Sequence, residues 1–190
     1  MKISGDAIER AKKIKLIIFD VDGVLTNGEI YYGENGEFFK VFNCRDGFGI
    51  TAAHKLGLKT AIITGRSSVF TAKRAEYLGI SSVKQNCMNK RNAYKEVKAE
   101  FNLNDEEIAY IADDIIDLPV FVQVGFRVAV ADAVAEVKER ADFISNNCGG
   151  NGAAREAIEF ILKAQGKWAK LIQDYTTIED SADNFANIGQ

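Results

Sequence analysis

A chain of 190 residues with 47% hydrophobic and 27% charged residues has the balance of one globular domain, large enough to bury a core without disulfides or a structural metal. Its 24 Lys and Arg against 27 Asp and Glu, a net charge of −3, argue against a nucleic-acid binder, which needs a basic face for the phosphate backbone. Cys44, Cys87 and Cys148 form no CxxC or Cys/His cluster and are expected as buried thiols of a reducing cytoplasm; no apolar run reaches the ~18 residues of a membrane span, and residues 1–15 are amphipathic rather than a signal peptide.

Leu16-Ile17-Ile18-Phe19 is the first strand, short, β-branched and apolar on both faces. Residues 20–27 follow, and then Glu29-Ile30-Tyr31-Tyr32 and Phe38-Phe39-Lys40-Val41-Phe42 flank Gly33-Glu34-Asn35-Gly36-Glu37. Asn-Gly between two β-rich runs signals a hairpin. Leaving the first strand directly, this hairpin (about 28–43) is placed to hang over the strand ends as a flap. Its five aromatics, Tyr31, Tyr32, Phe38, Phe39 and Phe42, exceed what a two-stranded ribbon buries, so a partner subunit is the expected cover.

Helical spacing follows at Ala52, Ala53, Leu56 and Leu58, at Val69, Ala72, Ala75 and Leu78, and at Ala93, Val97 and Phe101, with Ser67 as an N-cap signal and Gly57 and Gly79 as C-cap signals. Between these lie the strand signals Thr60–Ile63, 108–111 and 126–130. A last helix runs from about Ala153 to Gln165. Beyond Gly166 the pattern fades, so a single domain over 1–170 with a mobile tail over 171–190 is expected. Alternating strands and helices predict an α/β fold, a Rossmann-like parallel sheet covered by helices on both faces, with its ligand site beyond the carboxyl ends of the strands.

Those strand ends carry the chemistry. The first delivers Asp20 and Asp22, and Ala109-Tyr110-Ile111-Ala112 delivers Asp113, Asp114 and, one turn on, Asp117. If the strands are neighbours, up to five carboxylates converge, and their repulsion calls for a cation; all-oxygen ligation suits Mg²⁺. Thr64-Gly65-Arg66 ends a third strand with a hydroxyl, a turn whose amides can face an anion, and a guanidinium. Lys90, before a predicted helix, offers a mobile point charge for a phosphoryl group. Each feature alone has a plain structural explanation: Asp-x-Asp as a turn, Asp113-Asp114 as a helix cap, Thr64-Gly65 as a strand-to-helix turn, Lys90 as an exposed helix residue. Their order along the chain and their place on the elements favour a site. His54 has no nucleophile partner and is read as structural.

Asp-Val-Asp-Gly-Val-Leu-Thr at 20–26, Thr64, Lys90 and Asp113-Asp114-x-x-Asp117 resemble, in order, the four motifs of the haloacid dehalogenase superfamily of phosphohydrolases. The resemblance spans about 15–165. The short hairpin in place of a cap, residues 42–47, Thr64-Gly65-Arg66 and residues 149–156 further resemble its phosphatases of eight-carbon keto-deoxy sugar acid phosphates, which serve lipopolysaccharide precursor synthesis.

The resemblance implies Asp20 as the nucleophile forming an aspartyl-phosphate, and Asp22 as general acid and then base, its carbonyl also on Mg²⁺. It implies Asp113 as a direct ligand beside Asp20, with Asp114 and Asp117 in water-mediated or orienting roles. Thr64 and Lys90 would hold the phosphoryl oxygens. Asn43, Cys44, Arg45, Asp46, Gly47, Gly65, Arg66 and Arg74 match substrate-contacting positions, together with Asp22, Thr64 and Lys90, and a homotetramer packed through its flaps is implied. Two departures stand out: Ala112 occupies a place usually held by Gly, and Thr51 one held in some members by a longer polar residue. The alternatives are a phosphatase of a nine-carbon keto-deoxy acid 9-phosphate, a non-catalytic interaction domain of this fold, and a phospho-receiver domain, which the Asp20-x-Asp22 pair and the flap oppose.

Overall fold

The computed structural model describes residues 2–177. Its centre is β2 (Leu16–Phe19), buried at every position because Leu, Ile, Ile and Phe face helices on both sides. β5 (Lys59–Ile63) pairs with it on one side and β7 (Ile108–Ala112) on the other, both parallel. β6 (Ser82–Lys84) extends the sheet beyond β5; β8 (Phe126–Ala129) and β9 (Phe143–Ile144) extend it beyond β7. The short β1 (Lys2–Ile3) closes that edge antiparallel to β9, giving the order β1-β9-β8-β7-β2-β5-β6. The α/β, Rossmann-like expectation therefore holds, with β2 and β7, the two carboxylate-bearing strands, side by side.

Helices α1 (Ala7–Lys12), α2 (Cys44–Lys55), α3 (Val69–Leu78), α4 (Lys90–Phe101), α5 (Leu118–Phe121) and α6 (Ala135–Lys138) lie between strands, and α7 (Ala153–Ala164) follows the last one. α1 and α2 pack on α7, and α4 packs on α5. The start of α7 is held from outside the helix: buried Asp46 accepts from the amides of Gly152 (3.2 Å) and Arg155 (2.8 Å), satisfying donors that a helix N-terminus leaves orphaned.

β3 (Tyr31–Gly33) and β4 (Gly36–Phe39) form the hairpin as a separate two-stranded sheet. The turn differs by one residue from the Asn-Gly expectation. Glu34 and Asn35 occupy its corner, and Gly36, at φ +101°, opens β4 opposite Gly33.

The tail expected from 171 is corrected in part. Residues Trp168–Thr176 form a further helix, α8, with Trp168 and Leu171 buried and Tyr175 edge-on to Phe48 of α2. Positions 168, 171 and 175 follow a helical spacing that docks them on neighbouring helices, and Gly166 marks a turn between α7 and α8 rather than the end of structure. The rest of the expected tail, 178–190, lies outside the described residues. Cys44 and Cys148 are exposed and only Cys87 is partly covered, against the expectation of buried thiols.

Candidate active site

The carboxyl ends of β2, β5 and β7 meet at one edge. Asp20 follows β2 and Asp113 follows β7, and the parallel register Phe19↔Ile111 brings the two carboxylates together. Asp117, at the end of a 3₁₀ turn (Ile115–Asp117), comes back beneath them. Asp20, Asp113 and Asp117 each offer an oxygen within 4.8 Å of the others, the one such cluster of three among the described residues. Of the five carboxylates expected to converge, three do. Asp114 is exposed and turns to cap the 3₁₀ turn through the amide of Ile115 (2.6 Å), and Asp22 points towards the flap.

Lys90, the first residue of α4, is corrected from a mobile charge to a buried one, its side chain 1% exposed. It donates to Asp117 Oδ1 (2.6 Å) and pairs with Asp20 Oδ2 (3.0 Å). Burial works against its charge, but Asp20 and Asp117 outweigh that and hold it above the ordinary lysine value. One ammonium does not balance three clustered carboxylates, two of them buried and Asp113 half-buried. Burial, reinforced by Asp117, pushes Asp20 up to about 7; burial, with Asp117 and Asp20, pushes Asp113 up to about 8. Asp20 Oδ1 and Asp113 Oδ1 are buried with no hydrogen-bond partner. Unpartnered oxygens on two carboxylates of one cluster under excess negative charge fit a hard divalent cation.

Gly23 makes room for this arrangement: at φ +88° a Cβ there would lie 2.0 Å from Asp113 Oδ2. Gly149 backs the same loop, where a Cβ would lie 1.7 Å from the Gly23 carbonyl oxygen. The Gly149-Gly150 pair thus lets the segment before α7 press against the Asp20–Thr26 turn. Ala112 is buried in β7 opposite Ala129, in extended backbone that alanine adopts readily, so its departure from Gly leaves Asp113 in place.

The flap folds back over this edge. Lys40, its side chain 2% exposed, bonds Asp22 Oδ1 and lies 3.1 Å from Glu37; Glu37 accepts from Ser68, the N-cap of α3. Arg66 donates to Tyr32 OH (2.8 Å) and lies 3.7 Å from Asp22. Thr64 is buried at the end of β5, and Gly65 follows it. Lys40 was missed in the sequence, where a lysine in an alternating strand reads as a solvent-facing residue.

Residues 43–47, matched to substrate contacts, form the cap and first turn of α2. Asn43 is the N-cap of α2, accepting from Arg45 N, and donates to the Gly150 carbonyl (3.3 Å). Cys44 and Arg45 are exposed in the first turn. Gly47 sits under Arg74, whose guanidinium reaches the Asn43 carbonyl (3.5 Å) and the Phe42 and Tyr77 rings. Asp46 has both oxygens committed to α7 and in this arrangement offers none to a ligand. Its carboxyl is pushed up by burial against the lowering effect of those amides. His54 bonds Thr60 (2.6 Å) away from the carboxylates, a structural contact as expected.

A parallel sheet whose central strand delivers Asp-x-Asp beside a buried lysine and a second acidic strand end defines a haloacid dehalogenase-like hydrolase, and a model of that family matches residues 81–156. The 3-deoxy-D-manno-octulosonate 8-phosphate (KDO 8-phosphate) phosphatase KdsC of Escherichia coli K12 is 45% identical over 165 residues, 87% of this chain and 88% of that protein. The crystal structure of the Yersinia pestis phosphatase superimposes with a TM-score of 0.85 at 44% identity, over 88% of this chain and 90% of that one. The Moraxella catarrhalis phosphatase, crystallised with magnesium, phosphate and KDO, matches at a TM-score of 0.87 and 38% identity, over 90% of this chain and 99% of that one. This chain belongs to the KDO 8-phosphate phosphatase family of haloacid dehalogenase-like hydrolases.

Proposed function

We propose that the protein is a Mg²⁺-dependent phosphoric monoester hydrolase that converts KDO 8-phosphate to KDO and phosphate, a step of lipopolysaccharide precursor synthesis in the cytoplasm. The observation that carries it is Asp20: a buried carboxylate at a strand end with one oxygen on Lys90 and the other unpartnered, next to an unpartnered oxygen of Asp113. Asp20 and Asp113, with the backbone carbonyl of Asp22, would hold the ion, and Asp114 and Asp117 would support it indirectly. The bound cation supplies charge neutralisation for the phosphate dianion and the carboxylates.

Asp20 attacks phosphorus, the bond from phosphorus to the sugar oxygen breaks, and an aspartyl-phosphate forms. Asp22 gives its proton to the departing sugar oxygen and then takes one from a water, which attacks the same phosphorus, releases phosphate and restores Asp20. Lys90 and Thr64 bind the phosphoryl oxygens through this exchange, where donors fixed in advance favour the transition state. Arg66 and Arg74 supply guanidinium groups suited to the sugar acid's carboxylate, with Gly65 and residues 43–47 beside them.

We further read the flap, 28–43, as part of a single phosphatase domain and as the contact of a homotetramer. Tyr32 and Phe38 are 66% and 69% exposed, beside exposed Ile30 and Val41, an apolar face that a second copy would cover.

Phosphate release from KDO 8-phosphate tests the function. It is expected with Mg²⁺, to vanish on chelation and return on adding the ion, and to exceed release from a nine-carbon keto-deoxy acid 9-phosphate; faster release from the longer substrate would overturn the eight-carbon assignment. Asp20→Asn removes the nucleophile's charge at constant shape. It is expected to lose turnover by at least about 10³-fold with its circular dichroism spectrum intact, and normal turnover by that variant would refute the mechanism.

A further inference from the structure

We infer that Tyr110 is a positioning residue for the phosphoryl-transfer step: its hydroxyl fixes Asp117, and through Asp117 it fixes the aim of Lys90 at Asp20. The inference rests on the phosphatase reading and deepens it.

Tyr110 lies mid-strand in β7, paired with Ile18 of β2, and is fully buried. Its hydroxyl donates to Asp117 Oδ1 (2.7 Å), the same oxygen that accepts from Lys90 (2.6 Å), and lies 3.5 Å from Lys90 Nζ. The second oxygen of Asp117 has only long contacts, to the amides of Asp113 (3.4 Å) and Asp114 (3.5 Å). The close bonds to this fully buried carboxylate thus come from two side chains, and of these only Tyr110 is anchored in a central strand. Lys90 sits at the end of a long flexible stem.

Without the hydroxyl, Asp117 keeps one close partner, and repulsion from Asp20 and Asp113, whose oxygens lie within 4.8 Å, is free to turn it about its side-chain bonds. Lys90 would follow, and a donor displaced by even 1 Å loses much of its preference for the transition state. Burial and the neighbouring Asp117 and Asp20 hold Tyr110 well above the ordinary tyrosine value, so it remains a donor throughout the working pH range.

Tyr110→Phe deletes one oxygen and tests this. At saturating Mg²⁺ and well below the unfolding transition, kcat for KDO 8-phosphate is expected to fall about 10- to 100-fold with KM within about threefold. Orthovanadate, which mimics five-coordinate phosphorus, is expected to bind more weakly by a similar factor, while inorganic phosphate binds unchanged. A kcat within twofold of wild type, or equal weakening of vanadate and phosphate, would overturn the inference.

Because the lost bond leaves a buried charge short of a partner, Tyr110→Phe is also made in Asp117→Asn, which removes that charge. There it is expected to change kcat by less than twofold, and a further tenfold loss would show that Tyr110 does not act through Asp117. A wild-type protein that releases no phosphate from KDO 8-phosphate sinks the functional reading instead, and calorimetry of vanadate against phosphate still tests Tyr110.

Discussion

At the scale of single residues the site is set by charge imbalance. Asp20, pushed up to about 7, and Asp113, pushed up to about 8, hold protons near neutrality until a cation displaces them. A raised folded-state value means that, without the ion, the stability linked to these protons is fully present below the ordinary 3.8 and is lost as pH climbs through about 7 and 8. Magnesium binds the deprotonated groups, so its affinity moves the other way. Calorimetric Kd for Mg²⁺ is expected to tighten at least about tenfold between pH 6 and pH 8, and a pH-independent Kd would contradict the proposed ligands. The types and spacing of Asp20, Asp22, Lys90 and Asp113 are legible in the sequence, because strand ends and carboxylate pairs leave a local pattern. Lys40 and Tyr110 are not, since each takes its meaning from a partner brought close only by folding.

At the scale of elements, α7 carries two fastenings. Asp46 of α2 caps its start, and Glu156 in its first turn gathers the preceding loop, accepting from Ser145 Oγ, from the amide and side chain of Asn146 (2.8 and 2.6 Å) and from Asn147 (3.0 Å). Burial works to raise Glu156, but these bonds prevail and hold it below the ordinary 4.5. A depressed carboxylate contributes stability that is present above 4.5 and lost as pH falls through its folded-state value. Glu156→Gln is therefore expected to cost about 2 kcal/mol at neutral pH and to flatten the acid limb of a thermal-stability profile. An unchanged acid limb would show that the charge is not what holds the loop. This clamp also bears on the site, since the Gly149-Gly150 segment it steadies presses on the turn that follows Asp20.

At the scale of the whole molecule the flap is the least self-sufficient part. Among the described residues it is a two-stranded sheet with no pairing to the main one, tied down by Lys40, Glu37 and the Tyr32 hydroxyl and carrying exposed Phe38, Ile30 and Val41. Isolated ribbons of this kind are marginal in water. If copies of the chain pack through this face, Phe38→Glu is expected to reduce the sedimenting species from a tetramer to smaller ones without loss of secondary structure. A wild-type monomer, or a variant that remains tetrameric, would refute the contact.

The sequence by itself determined the strand and helix alternation, the parallel sheet and the two acidic strand ends, because hydrophobic period, glycine caps and carboxylate spacing are local properties that survive in a linear string. Only the tertiary structure decided which carboxylates face one another, that Asp114 and Asp46 serve as caps, that Lys90 is buried and that residues 168–176 continue as helix. Those outcomes depend on which side chains meet across distant segments and on the water excluded when they do. In that setting burial and neighbouring charge, rather than residue type, fix what each group can do.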